Sequence, residues 1–275
     1  MLKISDHKLR ATGADKVSHK SSPNIGKVLA RPRYLIMHYT AGRGFERDVS
    51  WLCNPDAKAS AHLVIGRDGE IAQLVPFDRV AWHAGKSRWM GLKGLNAHSI
   101  GIELSNAGPL EEKADGNWKA WFGGSFPDSE VVIARHRFEA EEQGWHTFGE
   151  EQLEIALRVA LLLHAEYGFE DVLGHDDIAP KRKRDPGPAF PMTSFRSALL
   201  GREDEAPRKG RTTTHLNIRS GPGVHYDKLE ASPLAPKTQL TLLEFDGKWI
   251  LVEVEKNGAP DLTGWVYGDY VAERA

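Results

Sequence analysis

The segment Tyr34-Leu35-Ile36-Met37-His38 is the first strong candidate for a strand in the chain, and it ends on a histidine. Apolar runs of this length predict a strand buried inside a sheet. A second run, Asp171-Val172-Leu173-Gly174-His175, also ends on a histidine. If the two strands are neighbours, their histidines lie at the same edge of the sheet.

Three further strands are predicted in this half of the chain, at His62–Gly66, Glu70–Val75 and Ser99–Leu104. Asp68-Gly69 lies between the first two and predicts a hairpin turn. One long helix is predicted to begin with a capping box of Thr147 and Glu150 and to end at Gly168. Strands interleaved with helices predict an α/β domain, with a mixed central sheet flanked by helices.

The chain divides into four predicted segments. Residues 1–30 are polar and predict an irregular N-terminal arm, and residues 31–200 form the α/β domain. Residues 201–210, GREDEAPRKG, are charged and contain Gly and Pro, which predicts a linker. Residues 211–275 predict a small all-β barrel, with a hairpin turn at Asp246-Gly247.

The composition of the chain excludes several kinds of partner and of metal site. The 275 residues carry a formal net charge of -2, which gives no overall attraction to nucleic acid. Cys53 is the single cysteine, so disulfides and cysteine-built zinc sites within one chain are excluded. No segment approaches the length of a membrane span, and the N-terminus lacks the apolar run of a secretory signal.

The segment Gly174–Pro188 returns Asp185 ten residues after His175. Together with His38, these residues offer two imidazoles and one carboxylate, a set that gives zinc three ligands and leaves a fourth position for water. On residue chemistry alone, however, structural roles are the stronger interpretation, because the chain contains 12 histidines.

Five motifs occur in order between residues 30 and 200, and together they resemble the type 2 N-acetylmuramoyl-L-alanine amidases. They are His38-Tyr39-Thr40-Ala41, Ser60-Ala61-His62, Trp82-His83-Ala84-Gly85, Asn96-Ala97-His98-Ser99-Ile100-Gly101-Ile102-Glu103 and the segment Gly174–Pro188. This family is related to peptidoglycan recognition proteins.

The resemblance implies a Zn²⁺ ion held by His38, His175 and Asp185, with Glu103 and Lys183 as catalytic residues. The implied reaction is hydrolysis of the amide bond between N-acetylmuramic acid and L-alanine in peptidoglycan or muropeptides. Lys181 stands where the family commonly has a glycine, so we expect the backbone there to avoid a glycine-only conformation.

Substrate contacts are expected from the motifs beside the cleft. Trp82, His83, Ala84 and Gly85 are predicted to form a wall, and Asn96 is a further candidate. His62 either touches substrate or has a structural role. Residues 108–146 are rich in Gly and Trp and predict a cleft rim, or else a surface excursion with its own aromatic cluster.

The C-terminal segment contains Leu216–Gly223 and Gly264-Trp265-Val266, which resemble bacterial SH3-like domains. Such domains often bind cell-wall peptides or glycan. The alternative is a β-module that stabilises the chain and has no ligand of its own.

Two other functions remain as alternatives. One is a peptidoglycan-binding receptor or regulator with little turnover. The other is nucleic-acid binding by the basic run Lys181–Arg184, which the net negative charge disfavours. We therefore expect a wall-derived partner, no nucleic acid and no membrane span. The absence of a signal predicts a cytoplasmic protein, with non-classical export to the cell wall, in phage lysis or effector secretion, as the alternative.

Overall fold

The computed structural model describes residues 1–13, 15–113, 116–200, 209–256 and 259–273. The chain forms two compact units, Met1–Arg202 and Glu203–Ala275. Most of the predicted linker, residues 201–208, lies outside the described residues. No helix among the described residues is long and apolar enough to cross a membrane.

The first unit contains strands and four helices, labelled here in chain order. Strands β1 to β17 are Leu2–Ser5, Lys8–Ala11, Val17–His19, Ile25–Val28, Tyr34–Tyr39, Leu63–Ile65, Ile71–Gln73, Arg79–Ala81, Arg88–Trp89, Leu92–Lys93, Ser99–Leu104, Pro109–Glu112, Trp118–Lys119, Ser125–Phe126, Val131–Arg135, Glu142–His146 and Asp171–Gly174. Helices α1 to α4 are Phe45–Leu52, Glu150–Tyr167, His175–Ile178 and Met192–Leu200.

The central sheet has six strands in the order β17-β5-β11-β6-β7-β3. Strands β17, β5, β11 and β6 are parallel, whereas β6 and β7 form an antiparallel hairpin across Asp68-Gly69. Helix α2 packs its buried side chains, including Val159 and Leu163, into the main core against this sheet. The predicted mixed α/β fold with a central sheet is confirmed.

The sheet register aligns three chemically important positions. Gly174 of β17 pairs with Met37 of β5, so His175 follows at the level of His38. Glu103 of β11 pairs directly with His38 on the other side. Because parallel strands in register point paired side chains to the same face, His38 and Glu103 lie side by side.

Two local predictions were wrong. Residues 1–30 are not irregular: Leu2 and Leu9 are buried in the main core, and β3 joins the edge of the central sheet. Helix α2 begins after Gly149 without a side-chain cap, so Thr147 and Glu150 form no capping box. The carbonyl of Thr147 instead accepts hydrogen bonds from Arg67 and Asn106, which holds Thr147 outside the helix.

Strands β12 to β16, within residues 109–146, form a separate five-stranded antiparallel sheet. We call this region the insertion sheet. It has a small core of its own that includes Leu110, Trp118 and Phe126. The expected aromatic cluster is therefore present, and a rim function remains a prediction.

The second unit is all-β in its described part. Strands β18 to β22 are Lys209–Thr212, Gln239–Asp246, Trp249–Lys256, Ala259–Tyr267 and Val271–Glu273. They form one antiparallel sheet in the order β21-β20-β19-β18-β22, with the predicted hairpin at Asp246-Gly247. Its core includes Leu216, Ile218, Leu240, Val252 and Val266.

Candidate metal centre

Three buried side chains converge at the edge of the central sheet. Nδ1 of His38 lies 3.0 Å from Nδ1 of His175 and 2.8 Å from Oδ2 of Asp185. Nδ1 of His175 lies 2.9 Å from the same Asp185 oxygen. Within the described residues, this is the group of His, Cys, Asp or Glu side chains able to hold a metal ion.

The backbone explains why the three side chains meet. His38 lies near the end of β5, and His175 is the first residue of α3, where a strand had been predicted to end. The carbonyl of Asp185 accepts a hydrogen bond from the amide of Asp176 at 2.9 Å, which draws the loop back to α3. A Cβ on Gly174 would approach Pro186 Cδ to 2.8 Å, so this close return requires a glycine.

These donors fit a zinc ion. Tetrahedral zinc with bonds of about 2.0–2.1 Å holds its ligand atoms about 3.3 Å apart. The three separations of 2.8–3.0 Å need only a small expansion to reach that value. Two imidazoles and one carboxylate leave one tetrahedral position for water or substrate.

The charge states also suit a metal centre. Burial and the neighbouring imidazole of His175 lower the pKa of His38 to about 4, so its ring is neutral at pH 7. Burial would raise the pKa of Asp185, but the imidazoles of His175 and His38 outweigh it and hold that pKa well below its ordinary value. A neutral imidazole and an ionised carboxylate are the ligand forms that metals bind.

Glu103 lies beside the centre on the face predicted for it. Its neighbours Ile102 and Leu104 point into the main core, whereas Glu103 pairs with His38. Burial, followed by the negative charge of Asp185, raises the pKa of Glu103 well above its ordinary value. Oε2 of Glu103 is buried and has no hydrogen-bond partner among the described residues. It is thus a carboxyl oxygen with free hydrogen-bonding capacity at the edge of the centre.

Lys183 is close enough to influence both neighbours. Its positive charge helps to lower the pKa of His38 and opposes the rise in the pKa of Glu103. Lys181 is in the left-handed region with φ of 63°, so the expectation that a non-glycine residue avoids a glycine-favouring conformation was wrong. The turn is held by hydrogen bonds from the amides of Arg182 and Lys183 to the carbonyl of Ala179.

The prediction that His62 contacts substrate is contradicted. His62 is fully buried, and its Nε2 lies 2.9 Å from the carbonyl of Arg79. Its Nδ1 accepts a hydrogen bond from the amide of Gly101 at 3.0 Å. Because backbone groups occupy both ring nitrogens, His62 has the alternative, structural role.

The predicted wall divides into two groups. Trp82 and Gly85 are exposed and available to a ligand. His83 and Ala84 are buried, which leaves their side chains little surface for a ligand, so substrate contact by them stays a prediction. Asn96 is partly buried, and its Oδ1 accepts from the amides of both residues, at 3.1 and 2.6 Å. His83 Nδ1 lies 3.0 Å from Nε2 of His38. His83 therefore contacts the candidate ligand His38, and Asn96 holds the backbone of the segment that contains His83.

Ion pairs that the sequence did not predict join the insertion sheet to the segment that carries His175 and Asp185. Arg137 lies 3.1 Å from a carboxylate oxygen of Asp176 and 2.6 Å from one of Asp177. Both acidic residues are buried and follow His175 directly. Arg184 donates a 2.6 Å hydrogen bond to Glu139 of the same region. The adjacent acidic residues Asp176 and Asp177 were the sequence feature that could have predicted these ion pairs, because two carboxylates that become buried need a cationic partner.

A second contact fixes the insertion sheet beside β5. The exposed Trp121 donates its indole N–H to the carbonyl of Ala41 at 2.8 Å. Arg43 donates to the carbonyl of Phe122 at 3.1 Å and lies over its ring. The tip of the insertion sheet thus adjoins the loop that follows His38 in the chain.

Comparison with known proteins shows the family to which the chain belongs. A family model described as N-acetylmuramoyl-L-alanine amidase matches residues 29–188. The chain belongs to this amidase family. The match includes the central sheet from β5 onward, the insertion sheet and all three candidate ligands.

Several amidases are similar to the chain. The 1,6-anhydro-N-acetylmuramyl-L-alanine amidase AmpD of Escherichia coli is 35% identical over 146 residues, which cover 53% of this chain and 61% of AmpD. The N-acetylmuramoyl-L-alanine amidase AmiD of the same organism is 32% identical over 187 residues, 65% of this chain and 57% of AmiD. The chain thus spans less than two thirds of the length of these relatives.

A solved structure of E. coli AmiD, in complex with anhydro-N-acetylmuramic acid-L-Ala-D-γ-Glu-L-Lys, is also similar. It is 28% identical to this chain, with a TM-score of 0.44. The similarity covers 70% of this chain and 64% of that structure.

Proposed function

We propose that the chain is a zinc-dependent amidase that hydrolyses the bond between N-acetylmuramic acid and L-alanine in peptidoglycan or muropeptides. The observation that carries this proposal is the convergence of His38, His175 and Asp185 on one point, with Glu103 in register beside them. Membership of the amidase family and the amidase activity named for AmpD and AmiD support the same reaction.

The residues divide the chemistry between them. His38, His175 and Asp185 would hold a zinc ion, which would supply the Lewis acidity needed to polarise a carbonyl and to lower the pKa of water to about 7. Glu103, in the ionised form that the charge of a bound zinc ion would favour, would take the proton of the attacking water at its unpaired carboxyl oxygen and deliver it to the leaving amine of L-alanine. Lys183 places a positive charge near the carbonyl oxygen, where negative charge develops during attack.

Substrate contacts follow from exposure. Trp82 and Gly85 offer surface beside the centre to the stem peptide, while Asn96 holds the segment between them. We further propose that residues 211–275 are an SH3-like domain that binds the cell wall and that residues 201–210 link it to an amidase domain at 31–200. The all-β sheet and core of the second unit support this assignment.

The test is product analysis with purified sacculi and with soluble anhydro-muropeptides. The zinc-loaded chain is expected to release peptides with new L-alanine amino termini and to leave the number of glycan reducing ends unchanged. Asp185→Ala and Glu103→Gln are expected to release none. New reducing ends would instead show a glycosidase, which contradicts the proposal.

The receptor alternative makes a different prediction in the same assay. Sacculi that retain the zinc-loaded chain without releasing any peptide would favour a binding protein over an enzyme. If the wild-type chain and Glu103→Gln release the same amount of peptide, the proposed catalytic role of Glu103 is contradicted.

A further inference from the structure

Ser99 carries a fully buried hydroxyl that the proposed chemistry does not use. Its Oγ lies 2.6 Å from the carbonyl oxygen of Leu95 and 3.3 Å from Nε2 of His83. A carbonyl oxygen can only accept, so the single hydroxyl proton of Ser99 goes to Leu95. The oxygen of Ser99 then offers a lone pair to His83, whose Nε2 must carry a proton.

This assignment fixes the next hydrogen bond. With its proton on Nε2, the neutral ring of His83 presents a lone pair at Nδ1. That nitrogen lies 3.0 Å from Nε2 of His38. Nε2 of His38 must therefore be the donor, because two facing lone pairs or two facing N–H groups would repel each other. The lone pair of His38 is left on Nδ1, which faces His175 and Asp185.

We propose that Ser99 and His83 are positioning residues that lock His38 in the one tautomer able to bind the metal. The hydrogen-bond chain runs from His38 to His83, then to Ser99 and finally to the carbonyl of Leu95. The inference rests on the metal centre described under the proposed function. It assigns both residues a role through His38 rather than through contact with substrate.

Ala84, the residue after His83, orients His175, the second histidine ligand, in a similar way. The carbonyl of Ala84 lies 3.2 Å from Nε2 of His175. This carbonyl can only accept, and it is nearer to Nε2 of His175 than the guanidinium of Arg182 at 3.5 Å, so the geometry favours a proton on Nε2 and a lone pair on Nδ1. The adjacent residues His83 and Ala84 thus orient the two imidazole ligands, and Asn96 holds both of their amides.

The packing around His83 is built for this position. A Cβ on Gly101 would lie 2.5 Å from the His83 ring, so β11 has a glycine where the ring must pass. His83 also stands edge-on to the ring of His38, with centroids 5.1 Å apart and planes at 85°. The ring is therefore confined as well as hydrogen-bonded.

The first test is direct observation of the tautomers by long-range ¹H–¹⁵N NMR of the full chain labelled at histidine. We expect His83 to carry its proton on Nε2 in both metal-free and zinc-loaded protein, and His38 to carry a proton on Nε2 and none on Nδ1 in the zinc-loaded protein. A proton on Nδ1 of His83 would overturn the proposal. Because the His83 tautomer can be read in the metal-free spectrum, the result for this residue does not depend on whether zinc binds.

The second test measures zinc affinity by competition with a chelator. Ser99→Ala is expected to weaken binding about 10- to 100-fold, the usual effect of removing a group that orients a metal ligand. Ser99→Thr keeps the hydroxyl and is expected to restore affinity.

The matched control for this experiment is Ser105→Ala. Ser105 is equally buried and follows the opposite end of the same strand, β11. An affinity of Ser99→Ala within about twofold of the wild type, or an equal loss in Ser105→Ala, would overturn the role of Ser99. Failure of the wild-type chain to bind zinc would instead contradict the metal centre itself.

Discussion

At the scale of single residues, Glu103 is a candidate catalytic group whose burial lowers the stability of the folded chain at neutral pH. Its Oε2 is buried without a hydrogen-bond partner among the described residues, and its pKa is raised mainly by burial. A raised pKa means that the folded chain favours the neutral carboxyl. Above the ordinary pKa of 4.5, the unfolded chain loses this proton more readily, so folding is progressively disfavoured.

Replacement of Glu103 by glutamine is therefore expected to stabilise the metal-free protein while abolishing turnover. Glutamine is neutral at every pH, so the gain should be absent at pH 4 and grow as the pH rises above the ordinary pKa of 4.5, where the unfolded chain ionises and the folded chain resists ionisation. Turnover should fall by about 100-fold or more. Urea unfolding across this pH range measures the first effect and product release measures the second.

The control for this prediction is Glu112→Gln, because Glu112 is an exposed glutamate outside the central sheet. It should show neither the stabilisation nor the loss of turnover. If Glu103→Gln stabilises the chain equally at pH 4 and pH 8, burial does not raise the pKa of Glu103 and this explanation is wrong.

At the scale of elements, Arg137 joins the insertion sheet to the two buried carboxylates of α3, Asp176 and Asp177. Burial raises the pKa of Asp176, and it would raise that of Asp177 too, but the charges of Arg137 and Arg196 hold the pKa of Asp177 below its ordinary value. Both carboxylates therefore rely on cations for their stability. Removal of a partner from such a buried pair leaves an uncompensated charge.

Arg137→Ala is expected to lower the free energy of unfolding by about 3 kcal/mol. The matched comparison is Arg33→Ala, which breaks a bidentate ion pair with Glu170 whose side chains are 35% and 39% exposed. That variant should lose much less, because water screens an exposed pair. Equal shifts of the urea midpoint in the two variants would contradict the clamping role of Arg137.

Elements defined by local pattern were predictable from sequence. Strand β11 was predicted with its observed bounds, because Ile100, Ile102 and Leu104 alternate with polar or small residues. The failures have long-range causes. The carbonyl of Thr147 is held by Arg67, 80 positions away, and β3 becomes a strand only by pairing with β7. Neither contact can be predicted from a local sequence pattern.

In the candidate site too, some residues were predictable from the sequence and others were not. The motifs named His38, His175, Asp185 and Glu103 because a family resemblance carries spatial information that spacing lacks. Ser99 and Arg137 were missed, since each acquires its role only through a partner far along the chain. A serine at the start of a strand has no sequence feature that distinguishes a hydrogen-bond relay from ordinary packing.

At the scale of the whole molecule, the two compact units should respond differently to metal. All three candidate ligands lie in the unit Met1–Arg202. A ligand at 100 times its dissociation constant stabilises the folded state by about 2.7 kcal/mol. For a domain of about 200 residues, this corresponds to a rise of about 5–10 °C in the unfolding temperature.

Differential scanning calorimetry of the full chain is expected to show this rise in one transition only, that of the first unit. The second unit has its own sheet and core, so its transition should stay in place. Asp185→Ala should abolish the shift. A shift of both transitions by zinc, or the same shift in Asp185→Ala, would place the metal elsewhere.

The most direct test of the account is to locate the metal by anomalous scattering at the zinc edge, in crystals of the full chain grown with Zn²⁺. We predict one strong peak about 2.0–2.2 Å from Nδ1 of His38, Nδ1 of His175 and Oδ2 of Asp185. A zinc peak bound by other residues, with none between these three atoms, would contradict it.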